Sequence, residues 1–174
     1  MTQVRPFLKY YILILVSFLI LVCDQTTKAW IVSRLRLGES TVLIPHYFSF
    51  TYVRNTGAAF GFLAHANPAF RVPFFITVPL LALLAIGFVF KKIPVGDLKL
   101  STSLSLIVGG ALGNLIDRVK FGFVVDFMDF YWRDGAHFPA FNVADSAICV
   151  GVGLLMLDLL LHSQEGEARA STTV

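Results

Sequence analysis

Several acidic residues lie at the ends of apolar segments, where a carboxylate is expensive to place. Asp117 ends the apolar run that contains Gly109 and Gly113, Asp126 follows shortly after it, and Asp145 opens the last apolar run. Ionisable groups at membrane depth cost about 2.5 to 3.5 kcal/mol each on insertion scales, so a group of them indicates a functional site. Of these acids, Asp126 and Asp145 are the candidates for reactive groups.

A pair of aspartates has a characteristic chemistry. Two carboxyl groups held close together cannot both ionise easily, so they share one proton. The ionised partner can take a proton from water as it attacks a carbonyl, and the protonated partner can donate to the oxyanion and the leaving amine, which is worth about 10² to 10⁴ in rate. Amides of Asn55, Asn114 or Asn142 are candidate donors to the oxyanion. If the fold brings Asp126 and Asp145 together, the pair predicts hydrolysis of a peptide bond.

The flanks of each acid also have a structural interpretation. Asp126 lies among aromatic residues, where desolvation would destabilise its charged form, whereas Asp129 is expected to be a solvated loop acid. Asn142 followed by Asp145 also fits a helix start, with Asn142 as the N-cap and an acid in the first turn. For that pair, both interpretations stay open.

The third apolar run ends in polar residues at helical spacing. Asn114, Asp117 and Arg118 stand at i, i+3 and i+4 and share one helix face. We interpret Asp117 and Arg118 as a pair that neutralises itself and supports the site. Gly109 and Gly113 form a small-xxx-small pattern, which indicates close packing between membrane helices.

The composition is that of an integral membrane protein. Of 174 residues, 56% are apolar and 14% are charged, with a mean hydropathy of +0.75, whereas soluble domains have about 45 to 50% apolar residues. A spanning helix needs about 20 mostly apolar residues. Four stretches qualify, at about 7–23, 70–90, 98–116 and 141–161, so residues 1–174 are expected to form one all-α membrane domain with four transmembrane helices.

Positive charge predicts the orientation of these helices. The short link between the second and third stretches carries Lys91, Lys92 and Lys99, and the N-terminus carries Arg5 and Lys9. Because cations favour the cytoplasmic side, both termini are expected to be cytoplasmic. The polar ends of the first, third and fourth stretches then meet at the outer face, where the long loops at 27–69 and 119–140 also lie.

The first long loop predicts structure outside the membrane. Residues 28–36 mix an aromatic residue with aliphatic and cationic ones, which is typical of an interfacial helix. Residues 42–53 are rich in β-branched and aromatic residues and predict a small extramembrane β-sheet on the same face. Residues 57–61 carry glycines suited to a tight turn.

Other chemistries have little support. The histidines lack the His-Glu-x-x-His spacing of zinc peptidases, there is no phosphate loop or Gly-x-Ser-x-Gly elbow, and a net charge of +3 is too small to indicate nucleic acid. The residues leave two alternatives open. One is a proton-coupled transporter subunit that uses intramembrane acids, although transporter sites usually lie nearer the middle of the membrane. The other is a noncatalytic scaffold.

Four segments, in order along nearly the whole chain, resemble the conserved boxes of the bacterial lipoprotein signal peptidases, also called signal peptidase II, which are membrane aspartyl peptidases. The segments are Asp24–Lys28, Arg54–Gly61, Gly109–Arg118 with Val124–Phe127, and Phe141–Asp145. One box alone would be weak evidence, but four ordered boxes at suitable spacing are specific.

The resemblance implies cleavage of the signal peptide from prolipoproteins, just before a cysteine that carries diacylglycerol. It implies that Asp126 and Asp145 are the catalytic pair. Supporting or substrate-binding roles are implied for Asp24, Lys28, Asn55, Gly110, Asn114, Asp117, Arg118, Asn142 and Ala144.

The resemblance also sets expectations about location and partners. It implies four spans with cytoplasmic termini, an active site near the outer face of the inner membrane, and no metal or cofactor. The expected partners are the lipidated prolipoprotein and membrane phospholipid, with no nucleic acid, and the chain is expected to act as a monomer. We expect the first loop and the 57–61 turn, with Phe60, to grip the substrate.

Overall fold

The computed structural model describes residues 7–58, 61–133 and 135–171, with side chains described as far as residue 161. Four helices and four short strands make up this part of the chain. In chain order they are α1 (Leu8–Arg34), β1 (Ser40–Ile44), β2 (Phe48–Asn55), α2 (Pro68–Lys92), α3 (Leu98–Phe121), β3 (Val124–Trp132), β4 (Ala136–His137) and α4 (Val143–Ser171). Arg5 and Phe60, which the sequence analysis used, lie outside the described residues.

The four predicted transmembrane stretches are confirmed as helices long and apolar enough to cross a membrane. α1 continues past the predicted end of the first stretch as far as Arg34, so the segment predicted as an interfacial helix is helical but continuous with the first span. The first box does not interrupt the helix, because Asp24 and Lys28 stand one turn apart and pair with each other.

Local signals explain where the other helices begin and end. Asn67 caps α2 by accepting a hydrogen bond from the Ala69 N–H, and Pro68 follows at the first helical position, where its missing N–H has no consequence. α3 ends at Gly122, whose φ of +75° is a left-handed conformation that glycine adopts without strain.

α3 lies at the centre of the bundle and packs against α1, α2 and α4. The small-xxx-small pattern makes this packing close, as predicted. A Cβ on Gly109 would lie 2.9 Å from the Ser17 Cα of α1, and a Cβ on Gly113 would lie 2.5 Å from the Asp24 carboxylate. Both positions therefore need glycine.

The strands form one antiparallel sheet in the order β1-β2-β3-β4. The predicted sheet is present, but it is larger than expected, because the stretch around Asp126 is strand β3 rather than a loop. The sheet is joined to the end of α1 by a buried apolar cluster of Ile31, Tyr52, Val125 and Phe127. This cluster fixes β3 against the helix bundle.

Two charged side chains are buried, and for Asp129 the expectation of a solvated acid is wrong. Asp129 is 7% exposed rather than solvated, because β2 and β4 lie on either side of it. Lys9 is buried at the opposite end of the bundle, where its ammonium donates to the carbonyl oxygens of Phe90, Lys91 and Ile93. Those carbonyls lie at the end of α2 and at its C-cap Ile93, where the helix supplies few backbone donors.

Candidate active site

Asp126 is a buried carboxylate on β3, held by amides from two other elements. Its Oδ1 accepts a hydrogen bond of 2.6 Å from the Asn142 side-chain amide at the start of α4. Its Oδ2 accepts one of 3.0 Å from the Asn55 amide at the end of β2. The sheet and the last helix therefore meet at this side chain.

The pKa of Asp126 is raised to about 7, mainly because burial disfavours the charged carboxylate and secondly because the negative charge of Asp145 is close. The two amide hydrogen bonds act in the opposite direction and lower this pKa. Asp126 is consequently poised to hold or release a proton near neutral pH, which is the range a general acid requires.

Asp145 lies in the first turn of α4 and accepts two hydrogen bonds. The Asn114 side-chain amide donates to its Oδ1 at 2.7 Å, and the backbone N–H of Asn142 donates to its Oδ2 at 3.2 Å. In return, the Asn142 Oδ1 accepts the Asp145 N–H at 2.9 Å. This reciprocal arrangement is a helix-capping geometry, so the capping interpretation of these two residues is correct and coexists with their place in the acid cluster.

Asn114 and Asn142 orient the two acids through a shared network. The Asn114 Oδ1 accepts from Lys28 at 3.0 Å and from the Asn142 amide at 3.2 Å. Because this oxygen faces two donors, the Asn114 NH₂ group must face Asp145. The amides that were candidate donors to an oxyanion thus hold the carboxylates instead.

Two further buried acids support the backbone beside each candidate catalytic acid. The Asp24 Oδ1 accepts the N–H of Ala144, the residue before Asp145, at 3.0 Å. The Asp117 Oδ2 accepts the N–H of Val125, the residue before Asp126, at 3.1 Å. The two acids thus play matching roles, one for α4 and one for β3.

One ammonium pairs with both supporting acids. Lys28 lies 2.8 Å from the Asp24 carboxylate and 3.0 Å from that of Asp117, and its side chain is 4% exposed. Removing one partner from a buried ion pair costs about 3 to 5 kcal/mol. Lys28 therefore links α1 to α3 and, through the two acids, to the backbone beside both catalytic candidates.

The predicted Asp117–Arg118 pair is wrong. Adjacent residues on a helix point to different faces, so Asp117 turns towards Lys28 while Arg118 turns away. Arg118 donates from Nη2 to the Gly57 carbonyl at 2.7 Å, and its guanidinium lies 4.2 Å above the Phe75 ring. Arg118 thus fixes the turn after β2 rather than balancing its neighbour.

Glycine and alanine in the boxes keep the supporting groups close. A Cβ on Gly110 would collide with the Ala144 carbonyl, and a Cβ on Gly113 with the Asp24 carboxylate. Ala144 itself is fully buried. The site residues on α3 and α4 can meet only because these positions are small.

The sequence analysis missed Gln25 and Arg71, and it named Gly57 only as part of the 57–61 turn. The Gly57 N–H donates to the Asn55 Oδ1 at 3.0 Å, and Gln25 donates to the Asp117 Oδ1 at 3.0 Å. Both stand inside the quoted boxes beside residues that were selected, which was the available signal. Arg71 of α2 donates to the Ala64 carbonyl at 2.7 Å, and no sequence pattern indicated it.

The sequence model of the family described as Signal peptidase (SPase) II matches residues 16–161. The chain belongs to this family. All four boxes fall within the matched range of residues 16–161.

Individual relatives agree with this assignment. The chain is 51% identical to the lipoprotein signal peptidase of Geobacter metallireducens, over 87% of this chain and 91% of the relative. It is 48% identical to that of Syntrophotalea carbinolica, over 86% and 91%. A solved bacterial membrane enzyme structure, determined by the in meso method, superposes with a TM-score of 0.76 at 36% identity, over 88% of this chain and 90% of that one.

The chain is therefore a multi-pass membrane peptidase of the lipoprotein signal peptidase family, and the transporter alternative has no support among these relatives. Within the described ranges, no three His, Cys, Asp or Glu side chains are grouped so that they could hold a metal ion. Of the 57–61 turn that was expected to grip the substrate, Gly57, Ala58 and Gly61 are described, and Gly57 contacts the site through Asn55.

Proposed function

We propose that this peptidase is an aspartic endopeptidase with Asp126 and Asp145 as its catalytic pair. The observation that carries the proposal is the position of Asn142, which donates to Asp126 through its side chain and to Asp145 through its backbone. One buried residue thus holds a carboxylate from the sheet and a carboxylate from α4 next to each other. The raised pKa of Asp126 supports a pair that shares one proton.

The environment of each acid assigns its role. Asp126, with a pKa of about 7, starts the reaction protonated. Because two close carboxyl groups share one proton, Asp145 is then the partner that starts ionised.

The reaction then balances in two steps. Water adds to the scissile carbonyl carbon while one of its protons moves to Asp145 and the Asp126 proton moves to the carbonyl oxygen. In the second step Asp126 takes a proton from a hydroxyl of the tetrahedral intermediate, the C–N bond breaks, and Asp145 protonates the leaving amine. Both acids return to their starting states.

The family relationship supports a particular substrate. The relatives are named lipoprotein signal peptidases, and we propose that this chain cleaves prolipoproteins just before the diacylglyceryl-modified cysteine. A lipid-anchored substrate diffuses in the bilayer and presents its scissile bond near the head groups. The acid cluster, at the ends of the helices beside the sheet, is placed to meet it there.

We also propose the location that this substrate requires. Residues 1–174 would form one domain in the inner membrane, with both termini cytoplasmic, the acid cluster near the outer face and phospholipid around the helices. It would act as a monomer and without a metal or cofactor. Cysteine labelling from either side of sealed vesicles tests the orientation, in a chain whose exposed Cys23 and Cys149 are replaced by alanine. One cysteine is introduced at Lys92 and another at the exposed Leu37.

The catalytic assignment is tested with purified protein and a synthetic prolipoprotein peptide that carries an S-diacylglyceryl cysteine. Asp126→Asn and Asp145→Asn should each abolish cleavage, while thermal unfolding shows that both variants stay folded. Glu39→Gln is the matched control, because it removes an exposed carboxylate from the loop just before β1 and should keep full activity. Cleavage by either dyad variant at the rate of the parent would refute the aspartic mechanism.

A further inference from the structure

The strand that carries Asn55 contains an irregularity whose position matters for the active site. On one side of it Phe50 pairs with Met128, and on the other side Val53 pairs with Asp126, so two residues of β2 lie opposite Phe127 alone. Such a bulge adds one residue to a strand. Moving a strand by one residue turns each side chain to the opposite face, so the bulge decides whether Asn55 faces Asp126.

The buried Asp129 carboxylate is hydrogen-bonded to this bulge. Its Oδ2 accepts a hydrogen bond of 2.9 Å from the hydroxyl of Thr51, one of the two bulge residues that lie opposite Phe127. The same oxygen lies 3.4 Å from the Ser49 hydroxyl. The Thr51 proton is thereby used, so the 2.8 Å contact between Thr51 and Ser40 of β1 has Ser40 as the donor. The bulge is therefore tied to both neighbouring strands.

The other oxygen of Asp129 reaches the last strand. Its Oδ1 lies 2.8 Å from the Nδ1 of His137 on β4, and the His137 ring stacks on Tyr131 at 5.0 Å between centroids. A single polar chain thus runs across all four strands, from Ser40 to His137, with Asp129 as its buried centre. A carboxylate can serve two strands at once in this way because it accepts on both oxygens.

We propose that Asp129 is a positioning residue for the active site, which fixes the bulge in β2 and so aligns Asn55 with Asp126. This inference rests on the proposed aspartic mechanism. The Asp129 carboxylate contacts Ser49, Thr51 and His137 rather than the catalytic pair, and it acts through the register of β2.

The rest of the site explains why the effect should be selective. β3 is held independently of β2, because Asp117 binds the Val125 N–H and the Phe141 carbonyl accepts from the N–H groups of Phe127 and Met128. Loss of Asp129 would therefore shift Asn55 and leave Asp126 in place with its Asn142 hydrogen bond. The Asn55 hydrogen bond lowers the pKa of Asp126, so its loss should raise the pH at which the pair gives up its shared proton.

The test compares pH–rate profiles for cleavage of the diacylglyceryl-cysteine peptide. The alkaline limb is the side of the pH–rate profile on which the rate falls as the pH rises. Asp129→Leu and Thr51→Val should each move this limb to higher pH by about one unit and lower kcat by about tenfold. Asp129→Asn should resemble the parent, because its amide oxygen can still accept from Thr51. Thr51→Val removes only the donor on β2, so it tests the inference even if Asp129→Leu does not fold.

A double-mutant cycle separates positioning from general loss of structure. If Asp129 acts through Asn55, then Asn55→Ala and the Asn55→Ala, Asp129→Leu double variant should show the same alkaline limb. Limb shifts that add together, or a parent-like limb in both Asp129→Leu and Thr51→Val, would overturn the inference.

Controls keep this result distinct from a failure of the catalytic assignment. His137→Gln removes the imidazole that contacts Asp129 and should leave the alkaline side of the pH–rate profile as in the parent. The catalytic assignment fails only if Asp126→Asn or Asp145→Asn cleaves like the parent, and that result does not depend on Asp129.

Discussion

Gly113 offers the sharpest test of the supporting layer. A Cβ at this position would lie 2.5 Å from the Asp24 Oδ2 and 3.3 Å from the Ala144 Cβ. An ordinary contact needs about 3.4 Å or more, so Gly113→Ala has to displace the carboxylate by about 0.9 Å. A hydrogen bond of 3.0 Å, the distance from Asp24 to the Ala144 N–H, would then exceed the range in which hydrogen bonds form.

The consequence should appear in catalysis more than in folding. Ala144 directly precedes Asp145, and a misplacement of about 1 Å near reacting groups can cost about 10²-fold in rate. The lost hydrogen bond to a charged group is worth about 1.5 to 3 kcal/mol. We therefore expect kcat/KM for the diacylglyceryl-cysteine peptide to fall about 100-fold, with a lower Tm but a folded protein.

Gly153→Ala is the matched control, since this helical glycine of α4 has no atom within 4 Å of its would-be Cβ. It should leave both kcat/KM and Tm close to those of the parent. Parent-like cleavage by Gly113→Ala would show that Asp24 does not position Asp145, and an equal loss in both variants would show that the effect is not local.

Four further predictions rest on the described residues. Cleavage should decline as the pH rises through about 7, because Asp126 then loses the proton it must donate; a rate that stays constant to pH 9 would contradict this role. Because the pKa of Asp126 is raised on folding, its protonated carboxyl contributes most to stability at pH values below its pKa in the unfolded chain. This contribution is lost as the pH rises to about 7. The Tm of Asp126→Asn relative to the parent should therefore increase with pH between about 4 and about 7. Lys9→Met should lower the Tm without changing kcat, since Lys9 holds the α2 carbonyls at the far end of the bundle; a loss of kcat would refute this separation. Arg118→Lys should reduce kcat/KM about tenfold or more at nearly unchanged Tm, because lysine cannot both donate to Gly57 and stack on Phe75 as the planar guanidinium does; full activity in the lysine variant would show that a point charge suffices.

Much of the helical framework could be predicted from the sequence. The four spans follow from long apolar stretches, and the close approach of α1 to α3 follows from Gly109 and Gly113. The selection of Asp126 over Asp129 relied on apolar flanks. The structure shows that both are buried, so that criterion alone did not separate the two acids.

The remainder depends on contacts between distant parts of the chain. Apart from Asp126 and Asp129, strand β3 is apolar and lacks clear alternation, so its pairing with β2 was not visible in the sequence around Asp126. The direction in which Arg118 points was missed because the charges of neighbouring residues were paired by proximity in sequence rather than by helix face. The bulge at Thr51 could not be predicted, because no glycine or other turn-forming residue stands at that position in the sequence.

The bridging ammonium of Lys28 bears on when the protein becomes competent during synthesis. Lys28 belongs to α1 and Asp145 to α4. If both are needed as proposed, a nascent chain in which α4 has not yet joined the bundle would be inactive, and activity would begin only after α4 has packed against α1 and α3.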